Sequence, residues 1–397
     1  MCKIEFIAYF IYTEMEGIDL LRFLDSGESH GKALVAIIEG VPSNFNIDIN
    51  FINNELKRRQ QGYGRGARMK IESDKVEMWS GMRGNKTTGN PVTMVIYNKD
   101  FENWQSVMNS EPKEEEKITV PRPGHGDMVG YFKFNTGDIR DTIERTSARE
   151  TAIRTAVGAL CRNILEALDI RIRSKVNSIG NIFDEQVDLF DDKIYEIIEQ
   201  SEVRCYNRQT EEKIKEEIDN CKEIGDTIGG SIFVSINGVP LGVGSYTQWD
   251  RKLDGILSGA VMSVQGIKAV EFGNGLDLDK KGSEFNDPIA FSEDKIIRPT
   301  NNCGGIEAGV SNGENIELKA YMKPIPSIKK NINSVDLAKK ENVVNRYERS
   351  DVCGVIPASV VLENVCAFEL LKELMNKYPA DDFNHLKRMV EIDRKKY

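Results

Sequence analysis

The sequence predicts an α+β protein. Alternating apolar patterns come in hairpin-like runs, helical periods stand apart from them, and the strict βαβ alternation of a parallel sheet is missing. The composition, 40% hydrophobic, 29% charged and 8% aromatic, is that of a soluble globular chain and excludes a disordered or fibrous one. No internal repeat or low-complexity tract stands out. The 397 residues read as one domain over residues 21–397, behind a non-essential leader at 1–20.

Taken in order, Leu34–Val41 (LVAIIEGV) reads as a buried strand ending at a Gly-Val-Pro turn. Ile47–Arg59 is a short helix with Asp48 or Asn50 as its cap. Strands at Lys70–Glu72, Val76–Trp79 and Val92–Tyr97 follow a Gly/Arg-rich loop. Residues 109–118 are a solvated loop, and Pro121–Asp138 is a structured loop without sustained period. Ser147-Ala-Arg-Glu150 fits a capping box, and apolar residues recur at helical spacing behind it through Leu168. Residues 184–225 form a charged, peripheral helical excursion. Strands at Ser231–Val239, Ala269–Phe272 and Glu317–Met322 flank a helix at Leu253–Val264. Pro357 marks the first turn of an apolar helix at Val360–Leu374.

Charge and cysteine content narrow the function. The 53 Lys and Arg against 63 Asp and Glu give a net charge of -10, whose field repels nucleic acid and anionic lipid. Seven scattered cysteines without a C-x-x-C argue against disulfides and thiolate zinc, and predict a reducing cytoplasm. The three histidines leave little for a transition-metal site. No apolar run approaches the roughly 20 residues of a membrane span. The apolar stretch Phe6–Tyr12 lacks a basic flank and a cleavage site, so it is no signal peptide and a start at Met15 should suffice.

Two phosphate-loop matches fail. Gly27–Lys32 is one residue short of a P-loop and lacks the hydroxyl after the lysine. The glycines at 62, 64, 66 and at 242, 244 miss the dinucleotide spacing. The run Lys57–Lys70 (KRRQQGYGRGARMK) is different, with six cations, three glycines and no acid. Arginine forks suit carboxylates and phosphates, and the glycines allow close approach. An anion site and a solvated or RNA-binding patch both remain open. In Arg145–Thr151, two arginines and a hydroxyl fall at an expected helix N-terminus, which favours a bound anion.

His30 and His125 both sit in Gly-flanked loops that can present an imidazole for proton transfer. His385, in a charged C-terminal tail, reads as surface. Lys323–Ser327 (KPIPS) and Arg349-Ser350-Asp351 place charge beside turns, which salt-bridged turns would explain equally well.

Seven segments taken together resemble the chorismate synthase family: RFLDSGESHG (22–31), RRQQGYGRGARM (58–69), RPGHGD (122–127), ERTSARET (144–151), NNCGG (301–305), KPIPS (323–327) and RSDVCGVIP (349–357). They run in the family's order from about Leu21 to Lys377. The resemblance implies helices sandwiched between antiparallel sheets and a homotetramer. It implies anti-1,4-elimination of phosphate from 5-enolpyruvylshikimate-3-phosphate with reduced FMN, an external flavin reductase, and NADPH only as an electron source. His30 would protonate the departing phosphate, His125 would assist the flavin's charge state, and Asp351 would accept a proton through the flavin N5. Arg145, Thr146, Ser147, Gln265, Gly266, Ala308, Lys323, Pro324, Ile325, Pro326, Ser327 and Arg349 fall where the family contacts FMN. Arg59, Arg65, Arg68, Arg122 and Arg149 fall at positions for substrate or nicotinamide phosphate. No metal is implied.

Ser350 replaces a histidine found in many members, and Ala308-Gly309 replaces a Gly-Gly pair. Residues 1–20 and 184–225 contain no segment that can be assigned to the resemblance. The rivals are a flavin-free nucleic-acid-binding module built on the basic loop and a silent scaffold; the intact His30, His125 and Asp351 argue against the scaffold.

Overall fold

Alternation builds the first sheet of the computed structural model, which describes residues 20–65, 73–292 and 295–396. Strands β1 (Arg22–Ser26), β2 (Ala33–Glu39), β3 (Glu77–Met78) and β4 (Val92–Tyr97) pair antiparallel in the order β1-β2-β4-β3. In β2, Leu34, Ala36 and Ile38 face inward while Ile37 and Glu39 are exposed, as a two-residue period requires. Helix α1 (Ile49–Gln60) follows β2, and the Asp48 carboxylate accepts from the Asn50 and Phe51 amides to cap it.

The second sheet holds β5 (Arg171–Ile179), β6 (Ile182–Phe183), β7 (Gly230–Asn237), β8 (Ile267–Phe272) and β9 (Ile316–Met322), antiparallel in the order β8-β9-β7-β5-β6. Between the sheets lie α1, α5 (Thr151–Glu166) and α9 (Val355–Lys377). Helix α5 packs on β2 and β4, and α9 packs on β5 and β7. The predicted sandwich is therefore observed. The two central helices meet closely: a Cβ on Gly158 would lie 2.1 Å from the Asn364 carbonyl oxygen, so only glycine fits there.

Shorter helices carry the site: α2 (Phe101–Met108), α3 (Asp127–Phe134) and α4 (Ile139–Thr146) precede α5. Helices α6 (Asp192–Gln200) and α7 (Arg208–Glu223) make up most of the excursion, α8 (Leu253–Met262) precedes β8, and α10 (Phe383–Arg394) ends the described chain.

Several expectations need correction. The Pro121–Asp138 loop contains α3, and His385 lies exposed in the first turn of α10 rather than in a tail. The Ser147 capping box does not form: the Ser147 hydroxyl accepts from the Arg149 amide, and Glu150 accepts from the Gln265 side chain instead of reaching back. The long helix begins at Thr151, after a tight turn at 148–150. Strand β5 shows no apolar alternation because polar residues are buried on both of its faces, among Ile172, Val176 and Ile179. Ser174 donates to Glu363, and the fully buried Lys175 pairs with Asp184 at 2.7 Å. The strand expected at Lys70–Glu72 lies outside the described residues.

Candidate active site

Three side-chain clusters meet on the α2–α5 side of the first sheet. The first is built on His30, in the β1–β2 loop. Its Nδ1 lies 2.9 and 3.1 Å from the two Glu144 oxygens, and its backbone N–H donates to the same carboxylate at 2.7 Å. The imidazole stacks on Trp104 with centroids 3.8 Å apart and planes 25° apart. Ser29 donates from its amide to the Glu144 carbonyl and from its hydroxyl to Ser147. Burial pushes the Glu144 carboxyl up, but the hydrogen bonds and charge of His30, with Arg140, hold it below the usual range.

The second cluster is centred on Asp74. Arg149 grips both Asp74 oxygens at 2.7 Å, and its Nε donates to Asn98 at 2.8 Å. Arg59 approaches the same carboxylate at 3.5 Å and donates to Thr151 and the Ala148 carbonyl. Burial is the main reason its guanidinium is pushed down to about 10; Arg149 and Arg65 lower it further, against Asp74 and Asp351. Arg65 pairs with Asp351 at 3.2 Å. Asn98 joins the first two clusters, because its amide holds the Gly31 and Glu28 carbonyls of the His30 loop.

Around His125 lies the third. The imidazole Nδ1 is 2.6 Å from Asp127, and Arg122 donates to both Asp127 oxygens. Asp127 is fully buried; burial raises its pKa, yet the His125 and Arg122 hydrogen bonds win and hold it well below the carboxylate range. Gly124, at φ +80°, lets Lys323 donate to its carbonyl; a Cβ there would lie 3.3 Å from the Lys323 nitrogen. Burial, and then Lys268, push the Lys323 ammonium down. A Cβ on Gly126 would meet Thr146 at 3.0 Å, so α4 backs both histidine loops.

The KPIPS and RSDVCGVIP segments are clipped together. Ser327 exchanges hydrogen bonds with the Glu348 backbone, and the Ser350 hydroxyl donates to the Ser327 carbonyl at 3.0 Å. Ser350 thus fills a bridging role at the position where a histidine was expected. Lys323 donates its amide to Gly266, and Gln265 holds Glu150 at 2.9 Å while its own carbonyl oxygen has no hydrogen-bond partner. The Glu348 carboxylate faces Arg140 at 3.4 Å and pairs with Arg346, whose Nε and Nη2 are buried without hydrogen-bond partners.

Three site expectations change. Arg145 belongs to the last turn of α4, where a cation suits the dipole, and pairs with Asp25 at 2.9 Å; it needs no bound anion. Asp351 pairs with Arg65 and makes no ion pair with the exposed Arg349 among the described residues. Ala308 takes a left-handed φ of +53° in an exposed hairpin turn whose next residue, Gly309, packs on Lys252 at the start of α8. No contact among the described residues brings Ala308 to the histidines. Arg68 lies outside the described residues.

Asp74, Asn98, Trp104, Arg140 and Glu348 were not anticipated. Asp127 stood two residues from His125 in its own motif, which was the available signal; Glu144 stood in a motif 114 residues from His30, with Glu28 nearer in sequence, and nothing local paired them. Within the basic run, Arg58 and Arg59 lie at the end of α1 and turn onto carboxylates, while Lys57 is exposed and residues 66–70 lie outside the described residues. Among the described residues there is no cluster of three or more metal-ligating side chains, and no helix is long and apolar enough to cross a membrane.

The described residues thus combine a sheet–helix–sheet sandwich with two carboxylate-paired histidines and an arginine cluster on Asp74. Comparison with known proteins places that combination in a family. The family model for chorismate synthase matches residues 21–375. The chain is 63% identical over 376 residues to the chorismate synthase of Clostridium tetani (strain Massachusetts / E88), covering 95% of this chain and 97% of that one. It is 45% identical over 385 residues to that of Staphylococcus aureus (strain Newman), covering 94% and 98%. A crystal structure of chorismate synthase superposes with a TM-score of 0.74 at 35% identity, covering 94% of this chain and 98% of that one. The chain belongs to the chorismate synthase family, a family of enzymes.

Proposed function

We propose that the protein converts 5-enolpyruvylshikimate-3-phosphate to chorismate by anti-1,4-elimination of phosphate, with reduced FMN, in the shikimate pathway to aromatic amino acids. The carrying observation is the two histidines, each bonded through Nδ1 to a buried carboxylate, beside a wall of Arg59, Arg65 and Arg149.

The elimination breaks the allylic C–O bond to phosphate and removes a ring proton from the opposite face. The three arginines bind the substrate's phosphate and carboxylates by charge-assisted hydrogen bonds. His30, with Nδ1 on Glu144, gives a proton to the departing phosphate from Nε2. Asp351, ion-paired with Arg65 at 3.2 Å, is the carboxylate that finally receives the ring proton. His125, held on Asp127 with Arg122 Nη2 3.3 Å from its Nε2, would assist the charge state of the bound flavin.

The residues present fit FMN. The orphaned Gln265 carbonyl oxygen and Arg346 nitrogens call for partners, Gly266 and Gly124 allow close approach, and Lys323 supplies positive charge. Thr146, Ser147, Gln265, Gly266 and Lys323–Ser327 would hold the group, with Arg145, Arg349 and Ala308 joining them on the resemblance alone. Bound there, reduced FMN would supply the electron-rich chemistry the elimination needs, with no net redox change.

An external reductase supplies the electrons, from NADPH, because no nicotinamide domain is recognisable in the sequence. The assembly is a homotetramer in the cytoplasm, and the six described cysteines are free thiols, which suits a reducing compartment. The test is anaerobic: purified protein with dithionite-reduced FMN and substrate should change the flavin spectrum and release chorismate and phosphate. No spectral change and no chorismate would sink the reading.

A further inference from the structure

We infer that Trp104, Arg140 and Glu144 form a clamp that fixes both the ring plane and the Nδ1–H tautomer of His30. They are positioning residues, and the inference rests on His30 being the proton donor of the proposed reaction.

An imidazole on a Gly-flanked loop has two soft side-chain torsions, and proton transfer tolerates only about half an ångström of misplacement. Each degree of freedom meets its own restraint here. In the ring plane, the Glu144 carboxylate spans the residue, taking the backbone N–H at 2.7 Å and Nδ1 at 2.9 Å. Perpendicular to it, the Trp104 indole stacks at 3.8 Å. Arg140 then closes the circuit: its guanidinium lies 5.1 Å from the Trp104 centroid, and its Nη1 is 3.3 Å from Glu144 Oε1.

The tautomer follows from the chemistry of the partner. Glu144 is 4% exposed and stays an anion, so its oxygens only accept and Nδ1 must carry the proton. Proton exchange with a ligand is thereby assigned to Nε2. The circuit is itself anchored, since Arg140 and Glu144 stand one turn apart on α4 and Arg140 reaches Glu348, whose backbone is tied to Ser327. Nothing in the loop sequence around His30 supplies these restraints. They come from α2 and α4.

The experiment uses full-length protein with ¹⁵N-labelled histidine. Only three histidines contribute signals, and His30→Ala identifies the one of interest. The neutral form of wild-type His30 is expected to be a single Nδ1–H tautomer, with Nε2 carrying the proton it donates only in the charged ring, and Glu144→Ala should give a mixture or the Nε2–H form of the neutral ring. Trp104→Leu should lower kcat by roughly 10- to 100-fold with KM within about twofold, and Trp104→Phe should restore most of it. A wild-type tautomer mixture overturns the clamp, as does a pattern that Glu144→Ala and Trp104→Leu both leave unchanged. The reading beneath it has its own readout, because normal turnover in His30→Ala would remove His30 as proton donor while the spectrum still decides the clamp.

Discussion

Arg58 and Arg59 are neighbours on one helix and end in opposite electrostatic worlds. Arg58 enters a buried network with Arg162 and Arg204, whose anions are Glu55, Glu199 and Glu363, most contacts being near 2.7 Å. Three cations meet three anions there, and despite burial the carboxylates hold the Arg58 guanidinium above its ordinary range. Arg59 joins Arg149 and Arg65, against Asp74 and Asp351 among the described residues, and is pushed down to about 10. The balanced cluster is complete without a ligand. The other sets three arginines beside two carboxylates among the described residues, and it is there that the proposed function seats the anionic substrate.

The widest separation between the two regions should appear in turnover. His30→Ala or His125→Ala, beside the cation-rich cluster, should lower kcat by roughly 10²–10⁴-fold with melting temperature nearly unchanged. Rates within a few-fold of wild type in both would move the chemistry elsewhere.

Breaking the balanced cluster should do the reverse. Glu363→Ala leaves three buried guanidiniums short of an anion and should cost about 3–5 kcal/mol in denaturant unfolding. A loss below about 1 kcal/mol would mean that water reaches the network. Arg59→Ala and Arg65→Ala come next, each expected to weaken substrate binding by about 1.5–3 kcal/mol, read by titration calorimetry. Unchanged affinity in both would return the loop to plain surface.

Acid sharpens the contrast further. Burial raises the Glu199 and Glu363 carboxyls, but the surrounding arginines win and hold both below the usual range. A depressed carboxyl contributes stability that is full above its unfolded pKa of about 4.3 and is lost as pH falls through the folded value. Melting temperature should therefore fall steeply below about pH 4, and Glu363→Gln should flatten that limb. The smallest effect is expected at Ser350→Ala, which removes the bond to the Ser327 carbonyl and should cost about 1 kcal/mol.

Much of this was legible beforehand, and the gaps share a cause. Strand Val92–Tyr97 and the capped helix after Asp48 followed from period and cap chemistry. The site residues His30, His125, Arg59 and Arg149 stood out because glycine and arginine are unusual in those settings. Strand β5 was invisible, since the buried Ser174 and Lys175, one on Glu363 far along the chain and the other on nearby Asp184, break the apolar period. Asp74 and Asn98 carry no local signal at all: an Asp in a loop and an Asn after a strand acquire meaning only when Arg149 arrives from another element.

The Arg65 loop rests on borrowed ground. Its Tyr63 hydroxyl donates to Asp219 and its amide to the Glu202 carbonyl, and a Cβ on Gly64 would meet Ile218 at 2.8 Å. All three supports belong to the charged 184–225 stretch, which carries no motif. Helix α7 buries only Ile214, Ile218 and Cys221, so it is a light element held by few apolar contacts. On heating, it should loosen while the central helices are still intact. Catalysis would then fade several degrees before the fold melts, and thermal inactivation would report the health of this outlying helix rather than that of the core.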